Sequence, residues 1–230
     1  MSLMRIEHIS TGYGKKQVLF DVSLDIEQGK TLLIVGANGS GKSTLYKAIY
    51  RTLDLWQGKI YYQNEDLNKY KTHQLIEKGI MYIPQKNELF EDLTVLENLE
   101  LSLLHHNKMI EIKQKITEII EVIPLLKKKL KSIVNTLSGG ERKFVSLGMV
   151  LLNNPKILFL DEILAGLSNE NIDKVIDTLN KIKRNGITLV VIEHRIKELF
   201  PIADRTVGFK LGKLYTDNLN SLDNIKSFMI

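Results

Sequence analysis

Apolar positions follow three rhythms along this chain. Near the N-terminus they alternate with polar ones, in Met4-Arg5-Ile6-Glu7-His8-Ile9 and again in Val22-Ser23-Leu24-Asp25-Ile26. That is the period of strands with one face against a core. Gly12 and Gly14 mark a turn between them. Elsewhere apolar residues run together, in Thr31-Leu32-Leu33-Ile34-Val35, Ile157-Leu158-Phe159-Leu160 and Leu189-Val190-Val191-Ile192. Unbroken runs of this length predict strands covered on both faces. Gly58 to Tyr62 and Ile80 to Pro84 are further strand candidates.

The third rhythm is helical. It predicts helices over Lys42 to Leu53, Glu141 to Leu152, Asn169 to Arg184 and Ile196 to Phe200, and a mostly helical stretch from about Thr94 to Leu130. Thr94 with Glu97 three residues on has capping-box spacing. Ile112, Ile116, Ile119, Ile120 and Ile123 fall on one helical face. Strands alternating with helices predict an α/β fold with a mainly parallel sheet and crossover connections. The strand-rich N-terminus and the helical middle read as additions to that core. With no repeat, low-complexity tract or linker, 230 residues suit one domain.

Composition narrows the class. Hydrophobic residues make up 43% and charged residues 26%, a globular balance. No cysteine is present, which excludes disulfides and thiolate metal sites. The apolar runs fall well short of the roughly 20 residues that a membrane-spanning helix needs. No signal-peptide pattern opens the chain, so a cytoplasmic location is expected. The net charge is +5 with lysine spread throughout; the cluster at Lys127, Lys128, Lys129 and Lys131 reads as a solvated helix end. It lacks interleaved aromatics or arginines, so no nucleic-acid partner is expected.

Candidate chemistry begins where the first buried run ends. Gly36-Ala37-Asn38-Gly39-Ser40-Gly41-Lys42-Ser43-Thr44 follows a predicted strand and opens a predicted helix, the context that a phosphate-binding loop requires. Glycines let backbone N–H groups turn inward around phosphates, and the helix N-terminus adds partial positive charge. Lys42 should reach the β- and γ-phosphates and Ser43 should ligate Mg²⁺. Asp161, closing another apolar strand, is the expected Mg²⁺-holding carboxylate, and Glu162 beside it is placed to polarise an attacking water. Such a cradle occurs in kinases, GTPases and helicases alike, and specifies the ligand more than the task.

Leu137-Ser138-Gly139-Gly140-Glu141 narrows the family. With it, nearly the whole chain resembles the nucleotide-binding subunit of an ATP-binding cassette (ABC) transporter, closest to the branched-chain amino-acid uptake subgroup. The resemblance implies a P-loop NTPase core, an N-terminal antiparallel β subdomain and an inserted helical subdomain. Residues 1–230 would form one ABC ATPase domain, with 1–85 and 155–230 as the core and 86–154 as the helical and signature part. Tyr13 falls where the family stacks an aromatic on adenine. Gln85 matches the glutamine that touches Mg²⁺ and water and links to the membrane subunits. Glu162 matches the catalytic base, and His194 the histidine that contacts the γ-phosphate. Ser138, Gly139, Gly140 and Glu141 would contact the nucleotide of a second subunit across a two-fold axis. ATP and Mg²⁺ are the implied ligands.

Two positions depart from the family pattern. Ile163 stands where proline usually follows the glutamate, and Ser168 where aspartate commonly ends the next loop. Both bear on coupling between the two sites. His105-His106 reads as an exposed helix face with no metal. The resemblance implies an ATP-hydrolysing transporter subunit, homo- or heterodimeric, peripheral on the inner face of the cell membrane. It would dock on transmembrane permease subunits through a surface around Asn87 to Leu103. Glu88 to Leu99 resembles branched-chain amino-acid uptake subunits, and similar wording occurs in lipopolysaccharide exporters. The tail after Lys213 leaves little room for a regulatory domain. The alternative is a soluble ABC ATPase that remodels a partner, as in iron–sulfur cluster assembly. A DNA-repair or chromosome ATPase would need a long coiled coil between Lys42 and Ser138, for which there is no room.

Overall fold

The computed structural model describes residues 1–86, 89–103, 109–217 and 219–229. In chain order the strands are β1 (Ser2–Tyr13), β2 (Lys16–Glu27), β3 (Thr31–Val35), β4 (Gln57–Tyr62), β5 (Glu65–Asp66), β6 (Ile80–Ile83), β7 (Ile157–Asp161), β8 (Thr188–Ile192), β9 (Arg205–Lys210) and β10 (Lys213–Thr216). The α-helices are α1 (Lys42–Ile49), α2 (Thr72–Glu77), α3 (Val95–Leu101), α4 (Met109–Val122), α5 (Gly139–Leu151), α6 (Asn169–Arg184), α7 (Ile196–Leu199) and α8 (Leu222–Met229).

The alternating N-terminal segments form an antiparallel sheet of order β2-β1-β4-β5. β1 and β2 are longer than the alternation suggested. Register shifts between Ile6 and Ile9 and between Ile9 and Thr11, with His8 and Asp21 at positive φ, break the period of two while the pairing continues. The unbroken apolar runs lie in a second sheet of order β10-β9-β3-β8-β7-β6, in which every neighbouring pair is parallel except the β9–β10 hairpin. β3, β7 and β8 are buried at every residue.

Their side chains divide by parity. Leu33, Val35, Leu158, Leu160, Leu189 and Val191 face a core shared with α5 and α6. Leu32, Ile34, Phe159, Val190 and Ile192 face the one shared with α1 and the antiparallel sheet. Ile34 pairs with Ile192 and Asp161 pairs with Ile192, so β3, β8 and β7 end at one edge of the sheet. β6 joins them, with Ile83 opposite Leu160. Ligands of open α/β sheets bind outside such carboxyl ends.

The helical middle is more broken than its pattern suggested. α3 and α4 are followed by a short 3-10 turn at Pro124–Lys128. Thr94 caps α3 as its spacing predicted: Oγ1 accepts from Glu97 N–H at 3.2 Å, and Thr94 N–H donates to Glu97 Oε2 at 2.7 Å. Ile116, Ile119 and Ile123 are buried, with Ile112 and Ile120 packed beside them. His105 and His106 lie outside the described residues. α1 stops at Ile49 rather than Leu53, because the chain turns at Arg51, whose φ is 59°. α2, β9, β10 and α8 had no counterpart in the sequence reading. α2 buries only Leu75, and β9 mixes Arg205, Thr206 and Gly208 among its apolar residues, so neither repeats long enough to show a period. Lys127, Lys128 and Lys131 are exposed, whereas Lys129 pairs with Glu141.

Candidate nucleotide-binding and hydrolysis site

The loop from Gly36 to Gly41 leaves the end of β3 and turns straight into α1. Its glycines are sterically required. Gly36 has φ 156°, and a Cβ there would lie 2.2 Å from the Phe209 carbonyl oxygen. Gly41, with φ 107°, precedes α1 in a conformation that side chains rarely adopt. Ser40 N–H donates to Ala37 O at 3.1 Å, and Gly212 N–H to Ser40 O at 2.8 Å, which ties the loop to the β9–β10 turn. Beside it lies a cavity of about 350 Å³ lined by Tyr13, Lys16, Val18, Asn38, Gly39, Ser40, Gly41, Lys42, Ser43, Thr44 and Glu162. Gly36 and Ala37 form the base of the loop. Lys16 and Val18 were not anticipated; they reach the cavity through β2, and no motif marks them.

Lys42 is buried. Its Nζ donates to Gly36 O at 2.7 Å and Ala37 O at 2.9 Å, with Ser40 Oγ at 3.4 Å. Burial holds its pKa below the usual lysine range, and the Asp161 and Glu162 carboxylates oppose that shift. Phosphate oxygens are stronger acceptors than these carbonyls, so the ammonium is placed for an anion. Tyr13 is 46% exposed at the mouth of the cavity, with Lys47 Nζ 5.4 Å from its ring centroid.

Asp161 ends β7 almost fully buried. Burial raises its pKa and Glu162 adds to the rise; the Ser43 and Tyr82 hydroxyls and the Lys42 cation pull the other way. Tyr82 O–H donates to Asp161 Oδ2 at 3.3 Å, while Oδ1 has no hydrogen-bond partner among the described residues. A buried carboxylate oxygen without a partner is costly. Beside the Ser43 hydroxyl it is a donor set that fits a hard divalent cation. Among the described residues no group of three or more His, Cys, Asp or Glu could hold a metal by itself. A Mg²⁺ here would take its other ligands from phosphate and water, as that ion commonly does.

Glu162 sits in the left-handed region at φ 51°, its N–H donating to Ile192 O at 2.9 Å. For a residue with a side chain this costs about 1–2 kcal/mol. Its carboxylate is bracketed: Gln85 Nε2 donates to Oε2 at 2.5 Å, and His194 Nε2 lies 3.3 Å from Oε1. Ile163, at the family's proline position, is fully buried in the core and anchors the strained turn. Ser168 is exposed at the N-cap of α6, and its side chain makes no capping bond.

Ser138 to Glu141 lie elsewhere, and none of them lines the cavity. Ser138 caps α5: its Oγ accepts from Glu141 N–H at 3.2 Å, and its N–H donates to Glu141 Oε2 at 2.9 Å. Glu141 Oε1 pairs with Lys129 Nζ at 2.9 Å, and that ammonium holds the carboxyl below its usual pKa. Gly140 is covered by Asn171, whereas a Cβ on Gly139 would meet nothing within 4 Å among the described residues.

A glycine loop at the end of a central parallel strand, with a buried aspartate and a bracketed glutamate beside it, defines a P-loop nucleotide-binding protein with hydrolytic chemistry. The capped Ser-Gly-Gly helix, set apart from that cavity, narrows the class further. The chain belongs to the ABC transporter family, which it matches over residues 19–165. It is 30% identical to the high-affinity branched-chain amino acid transport ATP-binding protein BraG of Pseudomonas aeruginosa, over 92% of this chain and 91% of BraG. It is 29% identical to the lipopolysaccharide export system ATP-binding protein LptB of Haemophilus influenzae, over 93% of this chain and 89% of LptB. Among solved structures it resembles the ADP conformation of an ATP-binding cassette of an ABC transporter, with TM-score 0.86 and 28% identity, covering 99% of this chain and 94% of that one. The protein is a nucleotide-binding, ATP-hydrolysing cassette. Among its described residues no helix is long and apolar enough to cross a membrane.

Proposed function

We propose that this chain, residues 1–230 acting as one ABC ATPase domain, clamps ATP against a second cassette and hydrolyses it to drive a membrane transporter. The core would comprise 1–85 and 155–230, the helical and signature part 86–154. Tyr13 stacks on adenine. The loop amides of Gly36 to Thr44 and the Lys42 ammonium bind the phosphates. Glu162 takes a proton from the water whose oxygen bonds to the γ-phosphorus as the bond to the bridging oxygen breaks and ADP leaves. Gln85 and His194 hold that carboxylate and bear on the γ-phosphate. Ser43, Asp161 and Gln85 would hold Mg²⁺, which supplies charge neutralisation to the phosphates. The observation that carries this reading is the convergence of Gln85 and His194 on Glu162 at the mouth of the phosphate cavity.

Pairing with a second cassette is supported by Gly139. It opens α5 at ordinary helical φ with free space around it, so no contact with the described residues calls for glycine. A phosphate approaching from a partner does. Ser138 Oγ accepts the Glu141 amide and keeps its own proton to donate to such a phosphate. Docking on a permease is supported by a groove lined by Tyr82, Ile83, Pro84, Leu89, Ser146, Met149 and Val150, beside exposed Phe90; Asn87 and Glu88 lie outside the described residues. The cassette would then sit on the cytoplasmic face of the membrane. BraG supports branched-chain amino acids as the cargo; LptB supports lipopolysaccharide export as the second reading.

Glu162→Gln tests the assignment. It should bind ATP, turn over at least about a hundredfold more slowly, and accumulate as an ATP-bound dimer on size-exclusion chromatography. Turnover at the native rate would remove Glu162 as the base. Identification of the polytopic protein that co-purifies with the chain would decide the cargo.

A further inference from the structure

Two buried charges stand behind the hydrolytic cluster, and neither lines the nucleotide cavity. Lys143 lies on α5, five positions after Ser138. It is 5% exposed, and its Nζ donates to the Gln85 carbonyl at 2.9 Å. Glu193 follows β8 and is 2% exposed. Its Oε1 accepts from Leu164 N–H at 2.5 Å, and its Oε2 from His194 N–H at 3.0 Å and Arg195 N–H at 3.4 Å. Buried ammonium and carboxylate groups are expensive to desolvate, and apolar residues of similar size commonly fill such places at no loss of stability. Packing alone therefore does not account for them.

Their hydrogen bonds do. Lys143 holds the backbone of Gln85, whose side chain reaches Glu162 Oε2. Glu193 holds the amide two residues after Glu162 and the amide of His194, whose ring reaches Glu162 Oε1. Each group that converges on the cluster is thus anchored by one of the two charges. Burial holds the Lys143 pKa below the usual lysine range, and the Glu193, Asp161 and Glu162 carboxylates oppose that shift. Lys143 also belongs to the helix that carries the Ser138 cap.

We propose that Lys143 and Glu193 act as one positioning unit, which sets Glu162 between Gln85 and His194 and ties that arrangement to the placement of α5. The inference rests on the assignment of Glu162, Gln85 and His194 made above. A shift of α5 as Ser138 and Gly139 engage a partner's nucleotide would pull on the Gln85 backbone through Lys143, and so reach this chain's own hydrolytic carboxylate.

Steady-state ATP turnover of the full chain tests it, with Lys143→Met, Lys143→Arg, Glu193→Gln, the Met/Gln double variant and Glu162→Gln compared. Lys143→Met and Glu193→Gln should each lower kcat by about tenfold or more, the scale of supporting-shell losses, with KM for ATP within about threefold. Lys143→Arg, which keeps a cationic donor, should recover most of kcat. The double variant should fall no further than the worse single one, because both act on the same placement. Native kcat in Glu193→Gln, multiplicative losses in the double variant, or a fall in ATP binding that matches the loss of kcat would overturn the proposal. Should Lys143→Met fail to fold, Glu193→Gln decides alone, since it keeps the size and one acceptor. Glu162→Gln separates the two levels: if it is inactive while the other variants keep native kcat, only the positioning unit fails. If it turns over normally, the base assignment fails as well.

Discussion

Replacing Gly139 with alanine should move stability and function in opposite directions. Gly139 is the first residue of α5, has no positive φ, and a Cβ added there meets nothing within 4 Å among the described residues. Alanine is preferred over glycine inside a helix by about 0.5–1 kcal/mol, through lower backbone entropy in the unfolded chain. A first-turn position should give the lower end, about 0.5 kcal/mol. For a domain of this size that raises the melting midpoint by about 1–2 °C. The same methyl group would stand between the helix-start amides and a phosphate of the partner's ATP. Losing one charge-assisted hydrogen bond costs about 1.5–3 kcal/mol, or roughly 10- to 150-fold in association. The assay pairs thermal melts with ATP-dependent dimerisation by light scattering, in the Glu162→Gln background where the dimer should persist. A lower melting midpoint with unchanged dimerisation would refute the reasoning, since the glycine would then serve the fold and no ligand.

Lys42→Ala removes the one cation in the loop and should weaken nucleotide binding by about tenfold or more; unchanged affinity by titration calorimetry would remove the cradle assignment. Asp161→Asn should stabilise the nucleotide-free protein at pH 7, because burial lifts the native carboxyl above its usual pKa and its ionised form is a cost to the fold. That gain should shrink as pH falls through the folded pKa, where the native residue takes up its proton. The same variant should lose Mg²⁺-dependent nucleotide binding. Melts at neutral and acidic pH, with nucleotide binding measured with and without Mg²⁺, check both.

What could be read from the sequence had a local cause. β3, β7 and β8 announced themselves because strands buried on both faces must be apolar throughout. The loop from Gly36 to Thr44 was legible because a strand that turns straight into a helix through Gly36, Gly39 and Gly41, all at positive φ, needs glycines at fixed spacing. The capping box at Thr94 is encoded within four residues; the one at Ser138 has the same spacing and emerged only with the structure. Features that depend on tertiary adjacency were not visible. Tyr82 reaches Asp161 only because β6 lies beside β7. Lys143 reads as an ordinary charge on a helix until the Gln85 carbonyl is found against its ammonium. One signal was present for Glu193: a carboxylate directly after an apolar run must find donors if that strand end is buried, and three backbone amides supply them. The bulges that lengthen β1 and β2 erase the period by which strands are recognised.

The central claim is that ATP is consumed only where two cassettes face each other. Turnover per chain, measured across a dilution series while light scattering reports the mass of the species present, tests it most directly. Activity should fall away as the dimer dissociates and return when the protein is concentrated. Constant turnover per chain by particles with the mass of one protomer would contradict the claim outright.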